Sequence, residues 1–104
     1  MPFASISTSA SGDTTIVAAL PGRKIRVLNY TVIAAGDVSI RWKSASTNIT
    51  GAMAIATNGG AAPAGAAQSP SGQIGLFETA AGEALVLNLS AAVAVGGHLA
   101  YQAI

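Results

Sequence analysis

Apolar and polar residues alternate in short segments along most of the chain, and turn-forming residues separate these segments. A period of two is typical of a β-strand with one buried face, and no stretch keeps the 3.6-residue period of an amphipathic helix. We predict about eight strands, at roughly Phe3–Thr8, Thr14–Leu20, Lys24–Ala34, Val38–Ser44, Asn48–Ala56, Gln73–Thr79, Ala84–Ser90 and His98–Ile104. The predicted turns are Ser11-Gly12-Asp13, Pro21-Gly22, Gly36-Asp37, Ala81-Gly82 and Gly96-Gly97.

This spacing predicts an all-β fold with a single domain over residues 1–104. Strands of this number and length form a sandwich or a small barrel, and the number favours a jelly-roll-like antiparallel β-sandwich. Residues 1–13 could form an N-terminal arm, in which Ser5–Asp13 adds to a neighbour's sheet through backbone hydrogen bonds. Asn58–Gly72 has no strand pattern and predicts a long irregular loop, either a bland surface loop or an assembly contact.

The third and fourth predicted strands are joined by the short segment Ala35-Gly36-Asp37, which predicts that they pair as a hairpin. With an even loop, the face expected in the core carries Ile25, Val27, Thr31, Ile33, Val38, Ile40 and Trp42. The opposite face carries six residues that we predict as a protein interface: Arg26, Leu28, Tyr30, Val32, Arg41 and Lys43. Aromatic residues and arginine over an apolar patch are typical of interface cores. The alternatives are that this face packs inside the same chain, or that a three-residue loop changes which residues share it.

The composition favours a protein whose surface is partly covered by other chains. Hydrophobic residues make up 51% of the chain and charged residues only 9%, against about 25% charged in a typical soluble domain. The net charge of +1 gives no basic patch for nucleic acid or for an anionic membrane. Ala84–Ile104 lacks acidic residues, Lys and Arg, but Leu85, Leu87 and Leu89 recur with a period of two, which excludes a membrane-spanning helix.

The chain offers little reactive chemistry, with no Cys, one His and four acidic residues. His98 would have to serve any metal site or catalytic triad, and no paired-His or nucleophile-elbow motif accompanies it. Glu78 and Glu83 flank a predicted turn, and two carboxylates about 5–9 Å apart could hydrolyse a glycosidic bond. Surface ion pairs with Arg or Lys are the simpler interpretation of these two acids. We therefore predict no enzyme activity, no cofactor, no metal and no small-molecule substrate.

Several segments resemble a group of small proteins common in tailed-bacteriophage genomes. They are Gly22-Arg23-Lys24-Ile25-Arg26-Val27-Leu28-Asn29-Tyr30, Arg41-Trp42-Lys43-Ser44, Thr50-Gly51-Ala52-Met53, Asn58-Gly59-Gly60, Gly75-Leu76-Phe77-Glu78-Thr79, Gly82-Glu83-Ala84-Leu85 and Val95-Gly96-Gly97-His98-Leu99-Ala100-Tyr101. The resemblance extends from about Thr14 to Tyr101, and the Ala/Pro/Ser-rich stretch Ala61–Ser71 departs from it.

The resemblance to these virion proteins, chiefly head decoration or cement proteins, implies a homotrimer seated on the outer surface of the capsid. It implies further copies of the chain and the major capsid protein as partners, and the virion as the location, after synthesis in the host cytoplasm. It carries over no catalytic residue. The alternative that it leaves open is a receptor- or glycan-binding head on a phage tail or fibre, because jelly rolls also serve as lectins.

Overall fold

The computed structural model describes residues 3–62 and 76–104, which form two antiparallel β-sheets packed face to face. The described strands are β1 (Phe3–Thr8), β2 (Gly12–Val17), β3 (Ile25–Ala34), β4 (Val38–Ser44), β5 (Thr47–Asn48), β6 (Met53–Ile55), β7 (Gly60–Ala61), β8 (Phe77–Glu78), β9 (Leu85–Leu89) and β10 (Val95–Ala103). Within these ranges, no helix has the length and hydropathy to cross a bilayer.

The strand order is that of a jelly roll. Sheet A has the order β1-β10-β3-β7, with β8 also paired to β3, and sheet B has the order β2-β9-β4-β5, with β6 also paired to β4. The first four strands alternate between the two sheets. When β5 is grouped with β6 and β7 with β8, each sheet has four strand positions, as in a double Greek key. The predicted all-β sandwich is confirmed.

Most predicted strands occur close to their predicted positions. The bounds of β1 and β4 agree with the prediction, and the predicted strand Asn48–Ala56 is split into β5 and β6. Residues 3–8 of the predicted arm form β1 of the chain's own sheet A. In the predicted loop 58–72, residues 60–61 form β7, and residues 63–72 lie outside the described part, as do residues 73–75 of the sixth predicted strand.

The predicted turn at Gly96-Gly97 is wrong, because both glycines lie inside β10. Gly97 pairs with Ile6 on one side and with Val32 on the other. A Cβ atom at Gly97 would lie 1.8 Å from the carbonyl oxygen of Thr31. Glycine is needed here because the backbone of β3 comes too close to leave room for a side chain.

The predicted hairpin between β3 and β4 is also wrong, because the two strands belong to different sheets. β3 pairs with β10 along its length, and β4 pairs with β9. Ala35-Gly36-Asp37 therefore crosses from one sheet to the other instead of making a hairpin turn. The short loop does not determine the pairing here, since each of the two strands pairs with a strand near the C-terminus.

A β-bulge at Leu28 changes which side chains of β3 point into the core. Tyr101 pairs with Val27 and the adjacent Ala100 pairs with Asn29, so Leu28 is an extra residue without an opposite partner. Before the bulge, odd-numbered residues of β3 point inward, whereas after it Tyr30 and Val32 do. The predicted core positions of Thr31 and Ile33 are wrong for this reason, and Ile33 is 57% exposed.

The core lies between the inward faces of the two sheets. Its buried residues are Ile6, Val17, Ile25, Val27, Tyr30, Val32, Ala34, Val38, Ile40, Trp42, Ile55, Leu85, Leu87, Leu89, Val95 and Leu99. Trp42 is fully buried and packs edge-on against Tyr30, with ring centroids 5.1 Å apart, and lies 5.9 Å from the ring of Phe77. Each large buried side chain contributes about 1.5–3 kcal/mol of hydrophobic stabilisation. This burial holds the two sheets together and so fixes the positions of the residues on their outer faces.

Candidate interaction surface

The described part of the chain does not assemble a reactive cluster. Across residues 3–62 and 76–104, no three His, Asp or Glu side chains meet as they would around a metal ion. His98 is exposed on β10. Glu78 accepts a hydrogen bond from Arg26 at 3.1 Å and lies 3.4 Å from Nζ of Lys24, whereas Glu83 accepts a hydrogen bond from Ser44 Oγ. The ion-pair interpretation is therefore confirmed for Glu78 and wrong for Glu83.

The environment of Glu78 keeps this carboxyl group ionised. Burial raises the pKa of Glu78, but the hydrogen bonds and charges of Arg26 and Lys24 together outweigh burial, so its pKa lies below the ordinary value. Glu78 thus serves as a surface clamp between β8 and the start of β3. A carboxyl group that acts as a general acid near neutral pH needs a raised pKa, and the pKa of Glu78 is shifted in the opposite direction.

The six residues predicted as one interface do not share a surface. Tyr30 and Val32 point into the core with 5% and 0% exposure, and Leu28 is 5% exposed at the bulge. Arg26 lies on the outer side of sheet A, beside Glu78. Arg41 and Lys43 lie on the outer side of sheet B. The assignment of all six to one exposed face is wrong because it assumed the β3–β4 hairpin and an unbroken alternation along β3.

The outer face of sheet B is polar, and one network satisfies most of its charges. Asp13 accepts a hydrogen bond from Asn88 at 2.7 Å and ion-pairs with Lys43 at 3.0 Å. The Asn88 hydrogen bond and Lys43 together lower the pKa of Asp13 below its ordinary value, despite a small opposing effect of burial. Arg41 lies opposite Asn88, and its buried Nε has no hydrogen-bond partner in the part of the chain described. The ion pair between Lys43 and Asp13 therefore links β4 to β2 across the outer face of sheet B.

The outer face of sheet A has a different character, because three neighbouring strands contribute only uncharged or small side chains. We define this outer A face by the outward residues in three rows of the register: Phe3, Ala100 and Asn29; Ser5, His98 and Thr31; Ser7, Gly96 and Ile33. None of the nine is acidic, Lys or Arg. Phe3, 76% exposed, and Ile33, 57% exposed, occupy opposite corners. Such a face can dock closely against another protein without desolvating a charge.

An open concavity adjoins this face at the end of sheet A where β3 ends and β10 begins. Its volume is about 1130 Å³, and its walls include Ser7, Ile33, Asn58, Gly96 and His98. The lining contains no acidic residue, Lys or Arg. The concavity extends the outer A face with hydroxyl, amide and apolar groups, so it suits shape-based contact more than recognition of a charged ligand.

Sequence reasoning missed the two corners of the outer A face. Ile33 faces outward only because of the bulge at Leu28, and the partner strand that defines this bulge lies about seventy residues later in the chain. Phe3 belongs to a correctly predicted strand. It lies three residues from the buried Ile6, and an odd separation along a strand places the two side chains on opposite faces. The other aromatic residues offer no exposed alternative, because Tyr30, Trp42, Phe77 and Tyr101 all pack against the core cluster or belong to it.

Comparisons of the chain with protein-family models, with curated proteins and with solved structures found no match.

Proposed function

We propose that the chain is a structural virion protein, which binds the outer surface of an assembled phage capsid as a homo-oligomer, most simply a trimer, and stabilises the lattice. The observation that carries this proposal is the outer A face, which is uncharged and has exposed Phe3 and Ile33 at its corners. A face without acidic residues, Lys or Arg that exposes two large apolar side chains can be buried against another protein without desolvating those charges.

The segments that resemble phage virion proteins support the fold of such a protein. Trp42, Tyr30, Leu85 and Leu99 belong to these segments and are core residues of the sandwich. Their burial explains why these segments contain large apolar and aromatic residues, since each of the four side chains fills space between the sheets. The surface of the sandwich, and not these core residues, supports the choice of a protein partner.

Binding to the assembled lattice provides a mechanism of stabilisation. A protein that binds the assembled capsid and not its free subunits shifts the equilibrium towards assembly by mass action. An oligomer that binds several capsid subunits at once needs only modest affinity at each contact, because the later contacts form at high effective concentration. In this proposal Phe3 and Ile33 act as the apolar anchors of each copy, one at each of two opposite corners of the outer A face.

The test uses particles of the virus that encodes the chain, assembled from a genome that lacks its gene. Purified protein is mixed with these particles and sedimented, and the particles are then heated. We expect saturable binding and a higher temperature of genome release. The double variant Phe3→Ser/Ile33→Ser should bind at least tenfold more weakly, whereas Ile104→Ser, which removes a 41% exposed apolar side chain outside the outer A face, should bind normally.

Absence of saturable binding by the folded wild-type protein would overturn the proposal. Binding to host cells in place of capsids would favour the receptor-binding head. Equal binding by the double variant and by Ile104→Ser would show that the outer A face is not the contact.

A further inference from the structure

Within residues 3–62 and 76–104, the strand β1 is an edge strand of sheet A. Among the described residues, β1 pairs with β10 alone, and no other described backbone group bonds to residues 3–8. One side of this six-residue strand therefore presents backbone N–H and C=O groups. An open edge of this length is a template for pairing with another strand.

The edge at β1 also lacks the features that usually prevent such pairing. Phe3–Thr8 contains no charged residue and no Pro, and its register with β10 is unbroken. By contrast β2, the outermost strand of sheet B, begins at Gly12 with φ +91°, has an irregular register between Thr15 and Val17, and carries the ion-paired Asp13. Charges, bulges and twisted ends are how monomeric sandwiches protect their edges. The β2 edge of sheet B has these protective features, and the β1 edge of sheet A lacks them.

We propose that β1 is a joint between two copies of the chain, in which the β1 strands pair antiparallel across a twofold axis and make the two A sheets continuous. We assign a second copy of the chain as the partner of this edge because of the composition of β1. A strand without charge can face its own copy without opposing like charges, and a twofold axis is the commonest symmetry between identical chains.

The alternation of β1 limits the register of this joint. In twofold antiparallel pairing, the numbers of opposite residues have a constant sum, and inward residues meet inward residues only if that sum is even. A sum of ten pairs residues 3–7 of the two copies, with Ser5 opposite Ser5 and Phe3 beside Ser7 of the partner subunit, so the partner contacts one edge of the Phe3 ring and leaves its outward side open. A sum of eight pairs only residues 3–5 of the two strands, and a sum of twelve leaves Phe3 without an opposite residue in β1. We therefore assign the register in which Ser5 lies on the axis.

This joint goes beyond capsid binding and does not depend on it. Neighbouring trimers on a closed shell face each other across twofold axes, so the same pairing could link them. In solution the joint converts a single chain into a dimer, and it links larger assemblies to one another through the β1 edge of each copy.

Cysteine cross-linking tests both the contact and the register, because the chain has no cysteine of its own. Opposite residues of an antiparallel pair have Cα atoms about 4.5–5.5 Å apart, within the range of about 4.4–6.8 Å that a disulfide spans. We expect Ser5→Cys to form a disulfide-linked dimer readily under mild oxidation. Thr15→Cys, exposed on β2, is the matched control and should not. Equal linkage of the two variants would overturn the joint, and linkage only between Ser5→Cys and Ser7→Cys in a mixture would overturn the register.

A charge exchange provides an independent test. Ser5→Lys and Ser5→Glu place like charges opposite each other on the axis, so each variant should have a lower solution mass than the wild type by light scattering. An equimolar mixture of the two should recover the wild-type mass. Circular dichroism verifies that both variants remain folded, and an unchanged mass of the folded variants would contradict the joint.

Discussion

Adjacent residues of β3 allow a sensitive test of the fold, because the bulge at Leu28 reverses their roles. Sequence alternation places Ile33 in the core and Val32 on the surface, whereas in the structure Val32 has 0% exposure and Ile33 has 57%. The substitutions Val32→Ala and Ile33→Ala should therefore have very different effects on the free energy of unfolding. The smaller side chain is expected to matter more.

The magnitude follows from burial. Val32→Ala removes two fully buried methyl groups, worth about 1.6 kcal/mol at about 0.8 kcal/mol each, and the cavity between the sheets raises the loss to about 2–3 kcal/mol. Ile33→Ala removes mostly exposed atoms and should cost below about 1 kcal/mol. In a domain of this size the first loss lowers Tm by roughly 10–20 °C.

Urea unfolding followed by tryptophan fluorescence is a suitable assay, because Trp42 is the only tryptophan and is fully buried beside Tyr30. The measurement is repeated at two protein concentrations, since a loss for Ile33→Ala that comes from an oligomer contact changes with concentration and a core loss does not. If Ile33→Ala is at least as destabilising as Val32→Ala at both concentrations, the bulge and the face assignment built on it are wrong.

Three further predictions concern glycine, pH and a buried hydroxyl. Gly97→Ala and Gly60→Ala should each lower Tm by more than 5 °C, because the new Cβ atoms would lie 1.8 Å and 2.2 Å from backbone oxygens, whereas Gly51→Ala, with open space around it, should change Tm little in thermal melts. Because the pKa of Asp13 is lowered in the folded state, its contribution to stability is present above the ordinary pKa and is lost as the pH falls through the folded pKa. An NMR titration should show that Asn88→Ala raises the pKa of Asp13, and no change would contradict the hydrogen bond. Thr79→Val should cost about 1–3 kcal/mol in urea unfolding, since it leaves the buried N–H of Ile25 without its acceptor; a loss below about 0.5 kcal/mol would argue against this bond.

The sequence predicts most of the strands because the signals for a strand are local. The alternation in Val38–Ser44 and the turn residues around it define β4 without knowledge of the rest of the chain. The split of Asn48–Ala56 into β5 and β6 is less visible, because Thr50 Oγ1 and the N–H groups of Ile49 and Thr50 bond to the backbone of Trp42 between the two strands.

The pairing of strands and the candidate surface could not be predicted in the same way. The bulge at Leu28 exists only in the register between β3 and β10, and Gly97 is explained only by the nearby Thr31 carbonyl. A single shift in alternation moved Tyr30 and Val32 into the core and Ile33 to the surface. Arg26, Arg41 and Lys43 remained partly exposed, but on the outer sides of two different sheets.

Electron cryomicroscopy of virus particles that lack the gene, imaged before and after addition of the purified protein, tests the central proposal most directly. We expect new density for a two-sheet sandwich on the outer capsid surface, repeated at symmetry-related positions, with the outer A face in contact with a neighbouring protein. Particles that show no added density on the capsid at saturating protein, or density on the tail alone, would contradict the proposed role.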